Sequence, residues 1–137
     1  MGKISNKKLR IGSPAISNSL GGIPWLKKFL PLCTNCKFDF IACHWYGPNF
    51  DHFKSHIQFV RNNFSNLNIW VTEFALEGNP TQADQIAFMK QAIAWLDNTP
   101  YVERYSWMGA FRGTSGRNWI DNNGTLTNIG QNYIHVI

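Results

Sequence analysis

Four short apolar segments begin near residues 10, 38, 69 and 104, and each runs into a stretch with apolar residues at helical spacing. This recurrence, roughly every 30 residues, constrains the fold more than any other feature of the chain. A strand that is apolar on both faces and leads into an amphipathic helix is satisfied beside another parallel strand, with helices covering the sheet. The pattern therefore predicts the (β/α) unit of an α/β barrel or a doubly wound sheet. A closed barrel takes eight units and roughly 250 residues. The chain has 137 residues and supplies four units, so the expected fold class is α/β, a partial (β/α)8 TIM barrel.

In chain order, Leu9 to Ile16 reads as a strand, followed by a Ser/Asn/Gly loop over residues 17–22. Ile23 to Leu30 reads as a helix with Trp25, Leu26, Phe29 and Leu30 toward the core and Pro24 in its first turn. The second strand, Phe38 to Tyr46, puts Phe40, Ala42, His44 and Tyr46 on one face before Gly47-Pro48 closes it. A helix from about Phe50 to Phe64 follows, with Phe53, Ile57, Val60 and Phe64 buried and His52 and His56 on the surface.

Strict alternation in the third strand sets Ile69, Val71, Glu73 and Ala75 against Trp70, Thr72 and Phe74, until Gly78-Asn79-Pro80 ends the run. Thr81 is placed to cap a helix over Gln82 to Asp97, with Ile86, Met89, Ile93 and Leu96 at helical spacing. The fourth strand, Val102 to Phe111, puts Tyr105, Trp107, Gly109 and Phe111 on one face. A Gly- and Asn-rich remainder ends in a short helix near Ile129 to Tyr133.

The net charge of +5 comes partly from Lys3, Lys7, Lys8 and Arg10. Residues 1–9 therefore read as a polar tail ahead of a single domain, residues 10–137. No basic stripe interleaved with aromatics follows, so no nucleic-acid partner is expected. No apolar run approaches the roughly 18 residues of a membrane helix, and the first residues lack a signal-peptide core. No membrane association is expected, and the chain as it stands carries no export signal.

Six Trp, ten Phe and four Tyr over few charges suit a sugar-stacking cleft as well as a large core. Cys33-Thr34-Asn35-Cys36 has zinc or redox spacing but no second pair, so no metal and no cofactor is expected, and a short loop disulfide is expected only where the chain meets an oxidising compartment. Two glycosylation triplets, Asn63-Phe64-Ser65 and Asn123-Gly124-Thr125, matter only if the chain is secreted.

Glu73 is an ionisable group inside an apolar run, near the C-terminal end of its strand, where ligands meet parallel sheets. A neighbouring Arg or backbone amide would satisfy it without any function. The ends of strands two, three and four, however, bring His44 with Tyr46, Glu73 and Trp107 to the same rim. An indole offers a face to sugar C–H groups, His and Tyr offer hydrogen bonds, and a carboxylate stabilises or attacks an oxocarbenium-like carbon. Trp107 and Tyr46 as core residues and His44 as a satisfied buried imidazole are the structural alternatives.

His44-Trp45-Tyr46-Gly47, Ile69-Trp70-Val71-Thr72-Glu73-Phe74-Ala75 and Tyr105-Ser106-Trp107-Met108-Gly109-Ala110-Phe111 carry a resemblance that spans nearly the whole chain. Gly12-Ser13-Pro14-Ala15 precedes them and Leu126-Thr127-Asn128-Ile129-Gly130 follows. Together they resemble the glycosyl hydrolase catalytic core of the fungal alkali-sensitive-linkage type, glycoside hydrolase family 128. The resemblance implies that residues 10–137 form the four C-terminal βα units of a (β/α)8 catalytic barrel that cleaves β-1,3-glucan with retention. By it Glu73 matches the nucleophile, and His44, Tyr46 and Trp107 match positions lining the glucose subsite. It also implies a β-glucan polysaccharide as partner and a secreted or cell-wall location.

The family's acid/base Glu stands in an Asn-Glu-Pro motif at the end of the fourth barrel strand, and this sequence has no such triplet. Retaining hydrolysis needs two carboxylates about 5 Å apart. Glu77, Asp39, Asp51, Glu103 and Asp121 are all poorly placed to substitute. The expectation is a glycoside hydrolase of β-1,3-glucanase type whose activity is weak or absent in this chain alone, with self-association through two open sheet edges. The rival readings are a non-catalytic glucan-binding or cell-wall protein and a truncated gene product.

Overall fold

The computed structural model describes residues 9–109, 112 and 117–136. Lys3, Lys7 and Lys8 of the expected tail and Phe111 of the fourth strand lie outside them. The chain runs through α1 (Gly22–Leu32), β1 (Phe40–Gly47), α2 (Phe50–Asn63), β2 (Asn68–Leu76), α3 (Gln82–Asp97), β3 (Val102–Tyr105) and α4 (Asn128–Val136). The three strands form a parallel sheet in sequence order.

The first expected strand lies along the free edge of β1 without becoming a regular one. It makes parallel bridges from Gly12 to Phe40 and from Ile16 to Cys43. Pro14 has no N–H to offer the ladder, which interrupts the pairing. The Ser13 hydroxyl fills in by accepting from the Ala42 N–H at 3.1 Å. With this segment the sheet has four parallel members, as the repeat predicts.

One side of the sheet is covered and forms the core. Ile41, Cys43 and Trp45 of β1 and Ile69, Val71 and Phe74 of β2 are buried there, together with Phe53, Phe88 and Trp107. The rings interlock edge to face: Trp45 on Phe53 at 5.3 Å, Phe53 on Phe88 at 5.7 Å and Phe74 on Trp107 at 5.3 Å between centroids. Such pairs add to the area they bury by about 0.5–1.5 kcal/mol each. The opposite face carries Phe40, His44 and Tyr46 of β1, Trp70 and Glu73 of β2 and Arg104 of β3. It is the face that a closed barrel would turn inward.

A β-bulge decides which face Glu73 joins. Cys43 pairs with Val71, but His44 pairs with Glu73, leaving Thr72 as an extra residue on β2. The Thr72 hydroxyl donates to the Cys43 carbonyl at 3.3 Å, so the bulged residue is tied to the neighbouring strand. The expected alternation, with Glu73 beside Ile69 and Val71, is thereby corrected. Beyond the bulge Phe74 takes the core side with Val71, and Glu73 shares the open face with Trp70 and His44.

Local signals set the helices. Thr81 and Asp84 form a capping box at the start of α3, and Asn49 caps α2 by accepting from the His52 N–H. Gln85 in the first turn of α3 is buried, and its amide bonds both the N–H and the carbonyl of Leu76 at 3.1 Å. That clamp ties the end of β2 to α3. The stripe expected on α1 is narrower than its spacing suggests, because Ile23 and Leu26 fill the buried side. Trp25 is left 50% exposed and stacks on Phe29.

His56 is not the surface residue its spacing from His52 suggests. It is largely buried beside the groove between α1 and α2, its Nε2 has no hydrogen-bond partner, and burial lowers its pKa to about 4. It therefore folds as a neutral ring, while the unfolded chain protonates it near the ordinary value of 6.5. Protonation favours the unfolded state, so this stability is complete above about pH 6.5 and is lost as the pH falls toward 4. After allowance for partial exposure the loss is on the order of 2 kcal/mol. Urea denaturation of His56→Leu across that window should show a flatter pH dependence than the parent; identical slopes would contradict it.

Candidate active site

Strand geometry and one bulge bring three side chains together at the C-terminal end of the sheet. The Tyr46 hydroxyl donates to Glu73 Oε2 at 2.7 Å, and His44 Nδ1 lies 3.3 Å from the same oxygen. His44 and Tyr46 are two apart on β1 and so share a face, and His44 pairs directly with Glu73 across the ladder. All three are half-buried, which leaves the carboxylate reachable from the open face. A carboxylate held by one oxygen keeps its orientation and still has lone pairs to offer a substrate.

Tyr46 is positioned from both sides. Asn18, in the loop after the edge segment, accepts from the Tyr46 N–H at 3.1 Å and donates to its carbonyl at 2.7 Å. A side-chain amide thus pairs with β1 as a neighbouring strand would. Above the ring, the Arg117 guanidinium stands 5.9 Å from its centroid. Burial, then the hydrogen bond to Glu73 and its charge, push the phenol well above the ordinary tyrosine range, so Tyr46 remains a donor at any physiological pH. Neither Asn18 nor Arg117 stands out in the sequence, because both sit in polar loops whose path depends on the fold.

Below this group the open face is closed by a stack. Phe40 lies on Trp70 at 3.7 Å between centroids, with Arg10 over both rings and Arg104 over Trp70. Glu103 pairs with Arg10 and accepts from the Trp70 indole N–H at 3.0 Å. Arg10 and then that indole hold the Glu103 carboxyl down at about 2. Glu103 is therefore an ionised structural partner, as its place at the other end of the strands suggests.

Two further carboxylates are engaged elsewhere. Asp39 accepts from the Ile11 N–H at 2.7 Å. Asp121 takes the Thr125 hydroxyl and the Asn123 and Thr125 N–H groups, which lowers its pKa. Glu77 is exposed in the turn after β2, near enough for its charge to act on Tyr46.

Trp107 does not join the group. Its indole is 2% exposed, packs on Phe74 and Phe88, and donates to the Arg117 carbonyl at 3.3 Å. The shared face expected for Tyr105 and Trp107 is the helix-covered one, as Phe74 packing against Tyr105 also shows. Burying an indole among aromatic rings releases more apolar surface from water than a rim position would. The structure thus places Trp107, expected as a platform, among the core rings beside Phe74 and Phe88.

The two cysteines 33 and 36 are bonded to each other, and Cys43 is buried with its thiol pushed up to about 12, so it acts as a small apolar residue. Among the described residues no cluster of three or more His, Cys, Asp or Glu could hold a metal ion. No helix among them is long and apolar enough to cross a membrane.

Parallel βα units with polar side chains converging at the strands' C-terminal ends are the architecture of part of a (β/α)8 barrel. The model of the glycosyl hydrolase catalytic core matches residues 2–133, and the chain belongs to that family, glycoside hydrolase family 128. The alkali-sensitive linkage protein 1 of Schizosaccharomyces pombe is 40% identical over 135 residues, covering 90% of this chain and 24% of that protein.

Among solved structures, an exo-β-1,3-glucanase from Cryptococcus neoformans is 30% identical with a TM-score of 0.82, over 92% of this chain and 54% of its own. An endo-β-1,3-glucanase from Amycolatopsis mediterranei in complex with laminaritriose is 29% identical with a TM-score of 0.78, over 94% and 59%. An endo-β-1,3-glucanase from Sorangium cellulosum, at 24% identity and a TM-score of 0.83, shares the fold over 93% of this chain and 55% of its own. The chain thus spans about half the length of these solved enzymes and about a quarter of the S. pombe protein.

The hydrogen bond between Tyr46 and Glu73 has a spectroscopic consequence. Glu73→Gln removes the negative charge that helps hold the Tyr46 proton, so the phenol should ionise at lower pH, with burial still keeping it above the ordinary range. Tyrosinate absorbance, read as the difference from Tyr46→Phe in each background, measures the midpoint. An unchanged midpoint would mean that the two groups are not in contact.

Proposed function

We propose that Glu73 is the nucleophile of a retaining β-1,3-glucan hydrolase and acts in a complete barrel of which this chain supplies half. The observation that carries the proposal is the fixing of Glu73 Oε2 by Tyr46 and His44 at the C-terminal end of β2. The free carboxylate oxygen attacks the anomeric carbon, the glycosidic C–O bond breaks, and a covalent glycosyl-enzyme forms that water then hydrolyses. Tyr46 and His44 hold the carboxylate in line and line the sugar subsite. Trp107 supports Glu73 from behind through Phe74.

The leaving oxygen must receive a proton from a second carboxylate about 5 Å away. We assign that role to a Glu in the other half of the barrel, where the family resemblance puts the Asn-Glu-Pro motif that this sequence does not contain. Laminarin hydrolysis by the chain reconstituted with the Asn-Glu-Pro-bearing half of a family relative tests the assignment. Glu73→Gln should lower turnover on the order of 10⁴-fold or more. In Glu73→Ala, azide should restore turnover and yield the α-glycosyl azide. Full activity of Glu73→Gln would rule the assignment out.

That dependence on a second carboxylate also favours a different reading of the chain by itself, a glucan-binding module that holds β-1,3-glucan without cleaving it. Retention on laminarin without release of reducing sugar supports it. Export or wall association fits the Cys33–Cys36 disulfide, since such bonds persist in oxidising compartments.

Among the described residues, no other strand pairs with the outer edge of β3 or with that of the segment along β1, which invites pairing. Light scattering of the chain alone should give a mass above that of one copy. Adding the complementary half should return it to a one-to-one complex, whereas a stable monomer would show that the edges are protected some other way.

A further inference from the structure

The two glycosylation triplets sit in contrasting surroundings. Asn63 is the last residue of α2, half-buried, and its Nδ2 donates to the Phe59 carbonyl at 2.8 Å within the helix's last turn. It also lies in the wall of the groove between α1 and α2 with Phe59 and His56. A glycan on that nitrogen would break the bond and crowd the groove.

Asn123 is exposed in a turn, with its N–H bonded to Asp121 Oδ1 at 2.9 Å. Gly124 follows at φ +87°, a conformation that suits glycine and turns the chain back on itself. Thr125 then returns to Asp121 through its N–H and its hydroxyl. The turn is built from its own backbone and the Asp121 side chain, and among the described residues none of its hydrogen bonds uses the Asn123 side-chain amide. A large polar group can therefore be added there without cost to the fold.

We propose that Asn123 is an N-glycosylation site of this protein and that Asn63 is not, a proposal that rests on the reading that the protein works outside the cytosol. In the transfer, Asn123 Nδ2 bonds to the anomeric carbon of a lipid-diphosphate-linked oligosaccharide. The anomeric C–O bond to the diphosphate breaks, the lipid diphosphate leaves, and the amide gives up one proton. The sugar extends from the connection between β3 and α4, so the α1–α2 groove stays free. The disulfide at Cys33–Cys36, its second cysteine exposed, points to the same oxidising compartment.

The test is translation of the chain behind a cleavable signal sequence with microsomes, reading the protease-protected fraction before and after peptide-N-glycosidase F. One sensitive species is expected, with Asn123 recovered as Asp in the peptide map. Asn123→Gln should abolish it and Asn63→Gln should leave it unchanged. A protected chain without glycan, or with glycan on Asn63, overturns the proposal. Because the signal sequence imposes translocation, that outcome is separate from whether the native protein is exported and from whether Glu73 is catalytic.

Discussion

A single extra residue in β2 governs the site. Without the bulge at Thr72, His44 would face Thr72, and Glu73 would turn with Val71 into the aromatic core. A carboxylate buried there without partners would cost several kcal/mol or stay protonated. The bulge instead keeps the apolar residues on both sides of it, Val71 and Phe74, in the core, and sends the one acidic side chain to the open face. The bonds that then form, from Tyr46 and beside His44, depend on that reversal.

The aromatic core is what makes the bulge tolerable. Phe74 is held by Phe53, Phe88, Tyr105 and Trp107, so the residue after Glu73 has one well-packed position. Gln85 fixes the strand two residues further on by bonding both backbone groups of Leu76. With Thr72 tied to the Cys43 carbonyl on its other side, Glu73 stands between anchored points, and its backbone has little freedom to swing. A nucleophile must meet the anomeric carbon to within a fraction of an ångström, and rigidity of this kind supplies the alignment.

Much of this was legible in the residues because it is local. The helical periods of α2 and α3, the Thr81 cap and the strand ends at Gly47 and Leu76 are set by neighbours in sequence, and the repeat led directly to parallel βα units. His44, Tyr46 and Glu73 could be grouped because each stands near a strand's C-terminal end. What could not be read depends on pairing between strands. The bulge is a relation between β1 and β2, so simple alternation put Glu73 on the wrong face. Trp107 was assigned to the rim because alternation says which residues share a face without saying which face the helices cover. Asn18 escaped notice and His56 was placed on the surface for a related reason: a loop amide that stands in for a strand, and an imidazole buried by a neighbouring helix, have no sequence period.

The central claim is that the bulge presents Glu73 as the group that bonds to sugar. Labelling the reconstituted barrel with an activated 2-deoxy-2-fluoro laminaribioside traps the glycosyl-enzyme, and peptide mapping reads the attachment point. The account predicts the label on Glu73, with none in Glu73→Gln. A label on Glu77, or on a residue of the other half, would contradict it.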